Sequence, residues 1–399
     1  MAIVTDKKTI DEILERGVAE VIQKDSLRAK LLSGKKLRIK YGIDPTSSNI
    51  HLGRAVSLLK LRDFQNLGHT IVFIVGDFTG VIGDTSDKDS ERPMLTKKEV
   101  KENMKSYIAQ AKKILSPKNL EIHYNSKWLG KLRYDEIGEQ ADAFSLADFI
   151  SRENIKKRLE SGSRISLREV LYPLMQGQDS VAIKADVEIG GTDQKFNMLA
   201  GRRLQERSKQ KPQDILMTNL IEGTDGRKMS SSWGNTIDLL DEPQNMFGKV
   251  MSLNDSLIVK YFIHCTRVSM EEVKTIEQSL KGNTVNPRDA KLKLAEEITA
   301  LYHGGKKALQ ARNDFINTFA KRGAPTDLKE KVVVRGTVLR EVVIALGLVA
   351  SKTEWRRLID QRAVENTETG EIIQDQSFKI EQNGIFKIGK KRFLKIAVQ

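Results

Sequence analysis

The sequence has only one cysteine, Cys265, among its 399 residues. One cysteine cannot form an internal disulfide, which argues against a disulfide-stapled secreted fold and favours a reducing compartment. Long apolar runs are also missing, and a stretch such as Ile71–Val75 is far shorter than the roughly 20 residues that cross a bilayer. The N-terminus carries Asp6, Asp11 and Glu12 and lacks the apolar core of a targeting segment. We therefore expect a cytoplasmic protein that makes no use of a membrane.

Basic residues outnumber acidic ones. Lysine and arginine total 67 against 53 aspartates and glutamates, which gives a net charge of +14. An excess of this kind favours a polyanionic partner, because phosphate contacts supply affinity. Many basic proteins bind no nucleic acid, however, so charge alone leaves that question open. The composition, 39% hydrophobic and 30% charged, is typical of a folded globular chain, and the length indicates two or three domains.

The N-terminal half has the pattern of a parallel α/β sheet. Leu37–Ile43 and Thr70–Val75 are short apolar runs rich in β-branched residues, and Leu52–Leu67 between them has apolar residues at helical spacing. A strand, a crossover helix and a second strand form a right-handed parallel unit. Leu120–Tyr124 and Val187–Ile189 add further predicted strands. In such sheets the ligand lies beyond the carboxyl ends of the strands, where the polar loops fall.

Shifts in pattern divide the chain into four parts. We predict a Rossmann-like domain over 1–235 with a helical insertion at about 125–180, an α-helical domain over 236–325, a linker over 326–336 and a small α+β domain over 337–399. In the last part, Ser351 with Glu354 predicts a capping box that starts a helix. The same part contains no acid after Glu381.

The first chemical motif is His51-Leu52-Gly53-Arg54, where a loop enters a predicted helix. Helix N-termini attract anions, and a glycine lets a phosphate approach the backbone closely. A histidine at this place can donate a hydrogen bond to a phosphate oxygen. Alone, a His-x-Gly triplet is weak evidence, and a histidine that caps or packs at a turn explains it better.

The second motif is Gly226-Arg227-Lys228-Met229-Ser230-Ser231-Ser232. Glycine gives the loop mobility, lysine supplies a point charge and the serines supply donors, as a lid over a polyphosphate requires. A third pattern places Tyr172, Gln176 and Asp179 four and three residues apart, on one face of a helix. A hydroxyl, an amide and a carboxylate in one stripe suit a polar small molecule.

Together these patterns resemble the class I aminoacyl-tRNA synthetases, whose signatures are usually His-Ile/Leu-Gly-His and Lys-Met-Ser-Lys-Ser. The bacterial-type tyrosyl-tRNA synthetases are the most similar, from about residue 30 to the C-terminus. Four further stretches carry the resemblance: Gly42-Ile43-Asp44-Pro45-Thr46, Gly76–Asp84, Tyr172–Asp179 and Gly190-Gly191-Thr192-Asp193-Gln194.

The resemblance implies an ATP-dependent ligase that joins L-tyrosine to tRNA(Tyr), with Mg²⁺ carried by ATP, no metal ligands in the chain, a homodimeric assembly and an S4-like RNA-binding tail. It assigns the chemistry to His51, Thr46 and Lys228, and the ATP contacts to Asp44, Gly53, Arg54, Asp193, Lys228, Ser230 and Ser231. The tyrosine contacts are Asp84, Tyr172 and Gln176 at the ammonium group, Asp179 at the phenol, and Gln194 and Lys40. The expected RNA contacts are Lys352, Arg356, Arg357, Lys390, Lys391 and Arg392.

Two departures from the family pattern stand out. Arg54 replaces the second histidine of the first motif, and Ser231 replaces the second lysine of the other. A cation is therefore gained in one motif and lost in the other. Separately, Lys40 stands where one branch of the family has a tyrosine that contacts the substrate phenol, while another branch carries lysine there.

Three other functions stay open on the sequence. A tryptophan ligase shares the fold, but the Tyr172–Asp179 stripe and the basic tail favour tyrosine. A catalytically lapsed RNA-binding protein would not need both His51 and Lys228. A small nucleotidyltransferase can carry a similar histidine motif but has no use for a separate RNA-binding tail.

Overall fold

The protein is described by a computed structural model that covers residues 2–86, 94–317, 328, 330–389 and 392–399. Contacts within the chain define two compact units: Met1–Glu242 with Lys249–Tyr302, and Pro243–Gly248 with His303–Gln399. Within the described residues, no helix is both long and apolar enough to cross a membrane.

A six-stranded sheet forms the centre of the first unit. Its strands are β1 (Val18–Ile22), β2 (Arg38–Ile43), β3 (Thr70–Val75), β4 (Leu120–Tyr124), β5 (Val187–Gly191) and β6 (Asp214–Thr218). Their order is β1-β6-β5-β2-β3-β4, and all neighbours are parallel except β1 with β6. Chain order therefore reverses between β2 and β5, which is the topological switch point where α/β proteins bind ligands.

Helices account for most of the rest of the chain up to residue 303. They are α1 (Lys7–Glu15), α2 (Lys24–Leu32), α3 (Leu52–Asn66), α4 (Thr79–Ile82), α5 (Lys97–Ala111), α6 (Ser126–Leu129), α7 (Tyr134–Ala141), α8 (Leu146–Ile150), α9 (Glu153–Glu160), α10 (Leu167–Ile183), α11 (Lys195–Arg207), α12 (Pro243–Met251), α13 (Ile258–Cys265), α14 (Met270–Lys281) and α15 (Pro287–His303).

Burial explains why the central strands and helices form where they do. Every residue of β3 is buried, as expected of a parallel strand covered on both faces. Helix α3 buries Leu58, Leu61 and Phe64 at helical spacing. Helix α10 begins with a capping box between Ser166 and Glu169, and it holds the predicted stripe of polar residues in place.

The second unit contains α16 (Gly305–Phe315), β7 (Glu330–Val333), β8 (Thr337–Val338), α17 (Leu339–Ala345), α18 (Lys352–Asp360), β9 (Val364–Asn366), β10 (Glu371–Ile372), β11 (Lys379–Ile380), β12 (Gly384–Ile388) and β13 (Arg392–Val398). Five strands form a sheet in the order β10-β9-β12-β13-β7, and β11 pairs with β8. A core that includes Leu339, Trp355 and Phe386 closes this part of the chain on itself.

The predicted strands are confirmed within a few residues, but three local expectations need correction. Strands β1 and β6 were not predicted. Residues 330–333, assigned by composition to the linker, form β7 and pair with β13. The capping box at Ser351 is half present: Ser351 accepts a hydrogen bond from the Glu354 N–H, while the Glu354 carboxylate accepts from the N–H of Ala350 instead. The domain boundaries stay a prediction.

Candidate active site

A cavity of about 260 Å³ opens at the carboxyl ends of β2 and β5, at the switch point of the sheet. Both motifs and most of the predicted substrate contacts line it, although they come from distant parts of the sequence. The lining includes Asp44, Thr46, His51, Gly53, Arg54, Asp84, Tyr172, Gln176, Asp179, Asp193, Gln194, Lys228, Ser230 and Ser231.

His51 stands at the N-terminus of α3 with little exposure to solvent. Burial, together with the nearby cations Arg54 and Lys228, lowers the pKa of its imidazole to about 3. The ring is therefore neutral at working pH and can donate one N–H. A Cβ on Gly53 would lie 3.0 Å from His51 Nδ1, so a larger residue there would press on the ring. The geometry suits an anion held at a helix N-terminus.

The second motif is fixed to the start of α3 by backbone pairing. The Leu52 N–H donates to the Ile237 carbonyl (2.8 Å), and the Leu239 N–H donates to the Ile50 carbonyl (2.9 Å). This bridge brings the segment that follows the Lys228 loop back to the first motif. Within the loop, Met229 is buried, and its sulfur lies 3.3 Å from the backbone nitrogen of Gly53. The two motifs therefore form one continuous wall.

The side chain of Asn235 holds the Lys228 loop in shape. Its amide oxygen accepts from the Ser230 N–H at 2.9 Å, and its Nδ2 donates to Asp225 Oδ1 at 2.7 Å and to the Lys228 carbonyl at 3.1 Å. The Lys228 ammonium lies 3.1 Å from Asp193 Oδ2 across the cavity. Sequence reasoning missed Asn235, because it lies outside the motif and has no pattern of its own.

Arg54 forms part of the same wall. Its guanidinium donates to Thr46 Oγ1 at 3.1 Å and to the hydroxyl of Tyr107, and it lies 5.7 Å from the centre of the Tyr107 ring. Tyr107 is fully buried and also lies 3.1 Å from the Ser47 hydroxyl. Arg54 is thus held rigidly beside Thr46, where it can meet a phosphate group.

At the other end of the cavity, Tyr172 donates its hydroxyl proton to Asp44 Oδ2 at 2.9 Å. Thr79 donates to the second oxygen of the same carboxylate at 2.7 Å. Burial, followed by the charge of Asp44, raises the pKa of Tyr172 well above its usual value, so the side chain stays a phenol. The side chain of Asp44, which was predicted to contact ATP, thus accepts hydrogen bonds from Tyr172 and Thr79.

Asp179 forms a buried polar floor. Its Oδ1 accepts from Trp128 Nε1 at 2.7 Å, and its Oδ2 lies 3.4 Å from Asn125 Nδ2. Burial raises the pKa of this carboxyl to about 7, while Lys40 and the two donors pull it down. Sequence reasoning missed Asn125 and Trp128, although their place just after β4 was the available signal.

Asp84 and Gln194 meet, as the sequence predicts for residues of one pocket. Gln194 Nε2 donates to Asp84 Oδ2 at 2.8 Å, and Ser86 donates to Asp84 Oδ1 from both its backbone and its hydroxyl. Asn197, which was not predicted, donates to Ser86 Oγ and to Gln194 Oε1, both at 3.1 Å.

Lys40 requires a correction, because it lies behind the cavity wall and not in it. Its side chain is fully buried and pairs with Glu188 Oε1 at 2.8 Å. The lining includes Glu188 and Gln176, both of which Lys40 contacts. Any effect of Lys40 on a bound ligand therefore passes through its neighbours.

The predicted RNA contacts fall into three groups. Lys352, Arg356 and Arg357 are exposed on α18. Arg392 is turned inwards, where it donates to the Leu348 carbonyl and pairs with a Glu354 oxygen at 2.9 Å, so it supports the fold of the tail. Lys390 and Lys391 lie outside the described residues.

The parallel sheet, the histidine motif at a helix N-terminus and the lysine loop on the same cavity define a class I aminoacyl-tRNA synthetase. The family model described as tRNA synthetases class I (W and Y) matches residues 32–320, and the chain belongs to this family. Proteins named tyrosine–tRNA ligase are similar over nearly their whole length. The Thermotoga maritima protein is 42% identical over 97% of this chain and 96% of its own. The Carboxydothermus hydrogenoformans protein is 44% identical over 96% of this chain and 97% of its own.

Solved structures support the fold. A C-terminally truncated mitochondrial tyrosyl-tRNA synthetase of Coccidioides posadasii has a TM-score of 0.63 at 24% identity, over 77% of this chain and 91% of its own. The tyrosyl-tRNA synthetase of Archaeoglobus fulgidus, solved with L-tyrosine, has a TM-score of 0.62 at 21% identity, over 77% of this chain and 100% of its own.

Replacing Asn235 by alanine should loosen the Lys228 loop. The change removes hydrogen bonds to Asp225, Arg227, Lys228 and Ser230, each worth about 1 kcal/mol. We expect trypsin to cut the native protein after Arg227 or Lys228 about tenfold faster, as mapped by mass spectrometry. Asn286→Ala is the matched control, because it removes an exposed hydrogen bond to Arg288 elsewhere in the unit. Equal cleavage rates in Asn235→Ala and the native chain would show that Asn235 does not hold the loop.

Proposed function

We propose that this protein is a tyrosine–tRNA ligase. It activates L-tyrosine with ATP to give tyrosyl-adenylate and pyrophosphate, and then transfers the tyrosyl group to the 3′-terminal ribose of tRNA(Tyr). The observation that carries the proposal is one cavity with the two phosphate-binding motifs at one end and a buried carboxylate, Asp179, at the other. Relatives of that name, more than 40% identical over nearly the whole chain, support it.

Three acceptors in the cavity suit the ammonium group of an amino acid. Tyr172 donates its O–H to Asp44, so it offers the cavity its oxygen lone pairs. The side-chain amide nitrogen of Gln176 donates to Glu188 at 3.1 Å, so the side-chain amide oxygen of Gln176 is left to accept from a ligand. Asp84 adds a carboxylate. An ammonium group donates three hydrogen bonds and accepts none, so it matches this set.

The floor at Asp179 suits a phenolic hydroxyl. Trp128 and Asn125 hold the carboxylate from behind, and a ligand O–H would complete its acceptor capacity. The family also includes tryptophan enzymes, whose substrate carries an indole N–H. The names of the close relatives favour tyrosine over tryptophan for this chain.

Adenylate formation needs no general base, because the nucleophile is the carboxylate of tyrosine. One of its oxygens attacks the α-phosphorus of ATP, the bond to the bridging oxygen breaks, and pyrophosphate leaves with the added charge. His51 and Thr46 donate hydrogen bonds to the developing charge, and Lys228 supplies a positive charge. Mg²⁺ that enters bound to ATP shares this charge.

In the second step a terminal ribose hydroxyl of tRNA(Tyr) attacks the carbonyl carbon of the adenylate, and AMP leaves. The exposed cations of α18 are placed to contact RNA phosphates, which dominate affinity. We also propose a cytoplasmic homodimer, supported by the exposed apolar side chains of Tyr134, Leu146 and Leu167 in the helical insertion.

ATP–pyrophosphate exchange measured with each of the twenty amino acids tests the proposed function. We expect exchange with tyrosine and far less with phenylalanine. Phenylalanine leaves the buried Asp179 without its partner, which costs about 1–3 kcal/mol, or more for a charged group. Comparable exchange with phenylalanine or tryptophan would contradict the assignment.

The role of the tail is tested in the full-length chain by the triple variant Lys352→Ala/Arg356→Ala/Arg357→Ala. Each lost phosphate contact lowers the salt slope of tRNA binding by roughly 0.7–0.9 units. We expect weaker tRNA(Tyr) binding, a slope lower by up to about 2–3 units, and unchanged tyrosine-dependent exchange. The control Lys7→Ala/Lys8→Ala/Lys24→Ala removes the same charge from exposed lysines near the N-terminus. If both triples lower the slope equally, only net charge is acting and the tail is not a specific RNA-binding surface.

A further inference from the structure

A buried ion pair lies directly behind the cavity. Lys40 on β2 and Glu188 on β5 are opposite each other in the parallel register, and their charged atoms are 2.8 Å apart. Both side chains are almost completely shielded from water, at 0% and 2% exposure. A buried pair of this kind contributes little net stability compared with apolar residues, because desolvation of the two charges offsets their attraction. Its presence beside a ligand cavity therefore calls for a role other than stability.

Every hydrogen-bonding position of the pair is used. The Lys40 ammonium donates to Glu188, to the backbone carbonyl of Gln176 at 2.8 Å and to Ser180 Oγ at 2.7 Å. Glu188 Oε1 also accepts from Gln176 Nε2, and its Oε2 accepts from Gln213 and lies 3.3 Å from Ser180 Oγ. Because every charged atom of Lys40 and Glu188 has hydrogen-bond partners, the pair is held in one arrangement, and it can fix the groups at its edge.

The group at its edge is the side-chain amide of Gln176, which lines the cavity. A carboxylate can only accept, so Glu188 holds the Gln176 nitrogen towards itself at 3.1 Å. The amide oxygen is directed away from Glu188. In the described part of the chain, no side chain or backbone group donates to that oxygen. A reversed amide would instead present N–H donors to the ligand.

We propose that Lys40 and Glu188 are positioning residues that fix the Gln176 amide with its oxygen towards the ligand, and so set the preference of the cavity for an ammonium group. Glu188 accepts the hydrogen bond from the Gln176 amide nitrogen, and Lys40 holds the Glu188 carboxylate in the position where it does so. Neither residue touches the substrate. This inference rests on the proposed function, because it takes the ligand to be an amino acid that binds through its ammonium group.

The test separates this role from plain structural support. Lys40→Met/Glu188→Leu removes both charges together, so no unpaired charge is left buried, and the Gln176 amide loses its fixed partner. The matched control is Lys30→Met/Asp214→Asn, which removes another largely buried ion pair, 2.9 Å long, that joins α2 to β6 of the same sheet and does not line the cavity. Thermal unfolding followed by circular dichroism establishes that both variants fold.

Binding of two tyrosine fragments provides the decisive measurement. Tyramine keeps the ammonium group and lacks the carboxylate, whereas 3-(4-hydroxyphenyl)propanoate keeps the carboxylate and lacks the ammonium group. We expect Lys40→Met/Glu188→Leu to raise the Kd of tyramine about tenfold and to change that of the propanoate less than twofold. In exchange assays the KM for tyrosine should rise likewise, with the KM for ATP within about twofold of the native value. The Lys30/Asp214 control should change neither Kd.

The conservative variant Glu188→Gln supplies a rescue. Lys40 can only donate, so it should hold the carbonyl oxygen of the new amide in place, and that oxygen still accepts from Gln176. Tyramine affinity should therefore stay within about threefold of the native value. Lys40→Met/Glu188→Gln frees this amide to turn and should weaken tyramine like the first double variant. It serves in place of the first double variant if that one does not fold.

Equal weakening of both fragments, or no change in either, would overturn the positioning role. A native protein that shows no tyrosine-dependent exchange would instead overturn the proposed function. The two failures are therefore distinguishable.

Discussion

The active site depends on one short backbone bridge. Residues 50–52, at the start of α3, pair with residues 237–239, and this pairing brings the Lys228 loop to the helix that carries His51. Without it, the histidine motif and the lysine loop would be two polar loops with weak chemistry of their own. With it, a neutral imidazole, a helix N-terminus and an ammonium group line one cavity. Gly53 keeps that wall tight, because any side chain there would press on His51.

The opposite end of the cavity depends on buried polar groups that hold one another in a fixed orientation. Asp44, Asp179 and Glu188 each accept hydrogen bonds from protein donors before any ligand arrives. Burying such groups costs free energy unless they are paired. The pairing here leaves a defined set of acceptors facing inwards, so the cavity is polar and preorganised for a ligand with donors at both ends. Burial also raises the pKa of Asp179 to about 7, a shift often found at functional sites.

The sequence predicts much of the central sheet and of the candidate site, and there are physical reasons why it does not predict the remaining strands and contacts. Strand β3 could be predicted because a fully buried parallel strand needs a continuous β-branched run. Strand β6 is buried, but it begins with Asp214 after a polar stretch and contains only two β-branched residues. Strand β7 consists mostly of exposed residues. Neither strand therefore has a continuous β-branched run. Chemistry and spacing drew attention to the motif residues, and their roles in the site were implied by the resemblance to the family. Lys40 could not be placed, because its partner Glu188 is a neighbour only in the folded sheet. The same holds for Asn235 and Trp128, whose roles depend on hydrogen bonds that no local sequence pattern encodes.

In the proposed function, Asp179 selects the substrate by accepting a hydrogen bond from its phenolic hydroxyl. This selection is measured by the ratio of kcat/KM for tyrosine to that for phenylalanine, obtained by ATP–pyrophosphate exchange in the native protein and in Asp179→Ala. We expect a high ratio in the native protein that falls at least about tenfold in the variant, because the hydroxyl loses a hydrogen bond to a buried, charge-bearing group. A ratio that is the same in both proteins would contradict it.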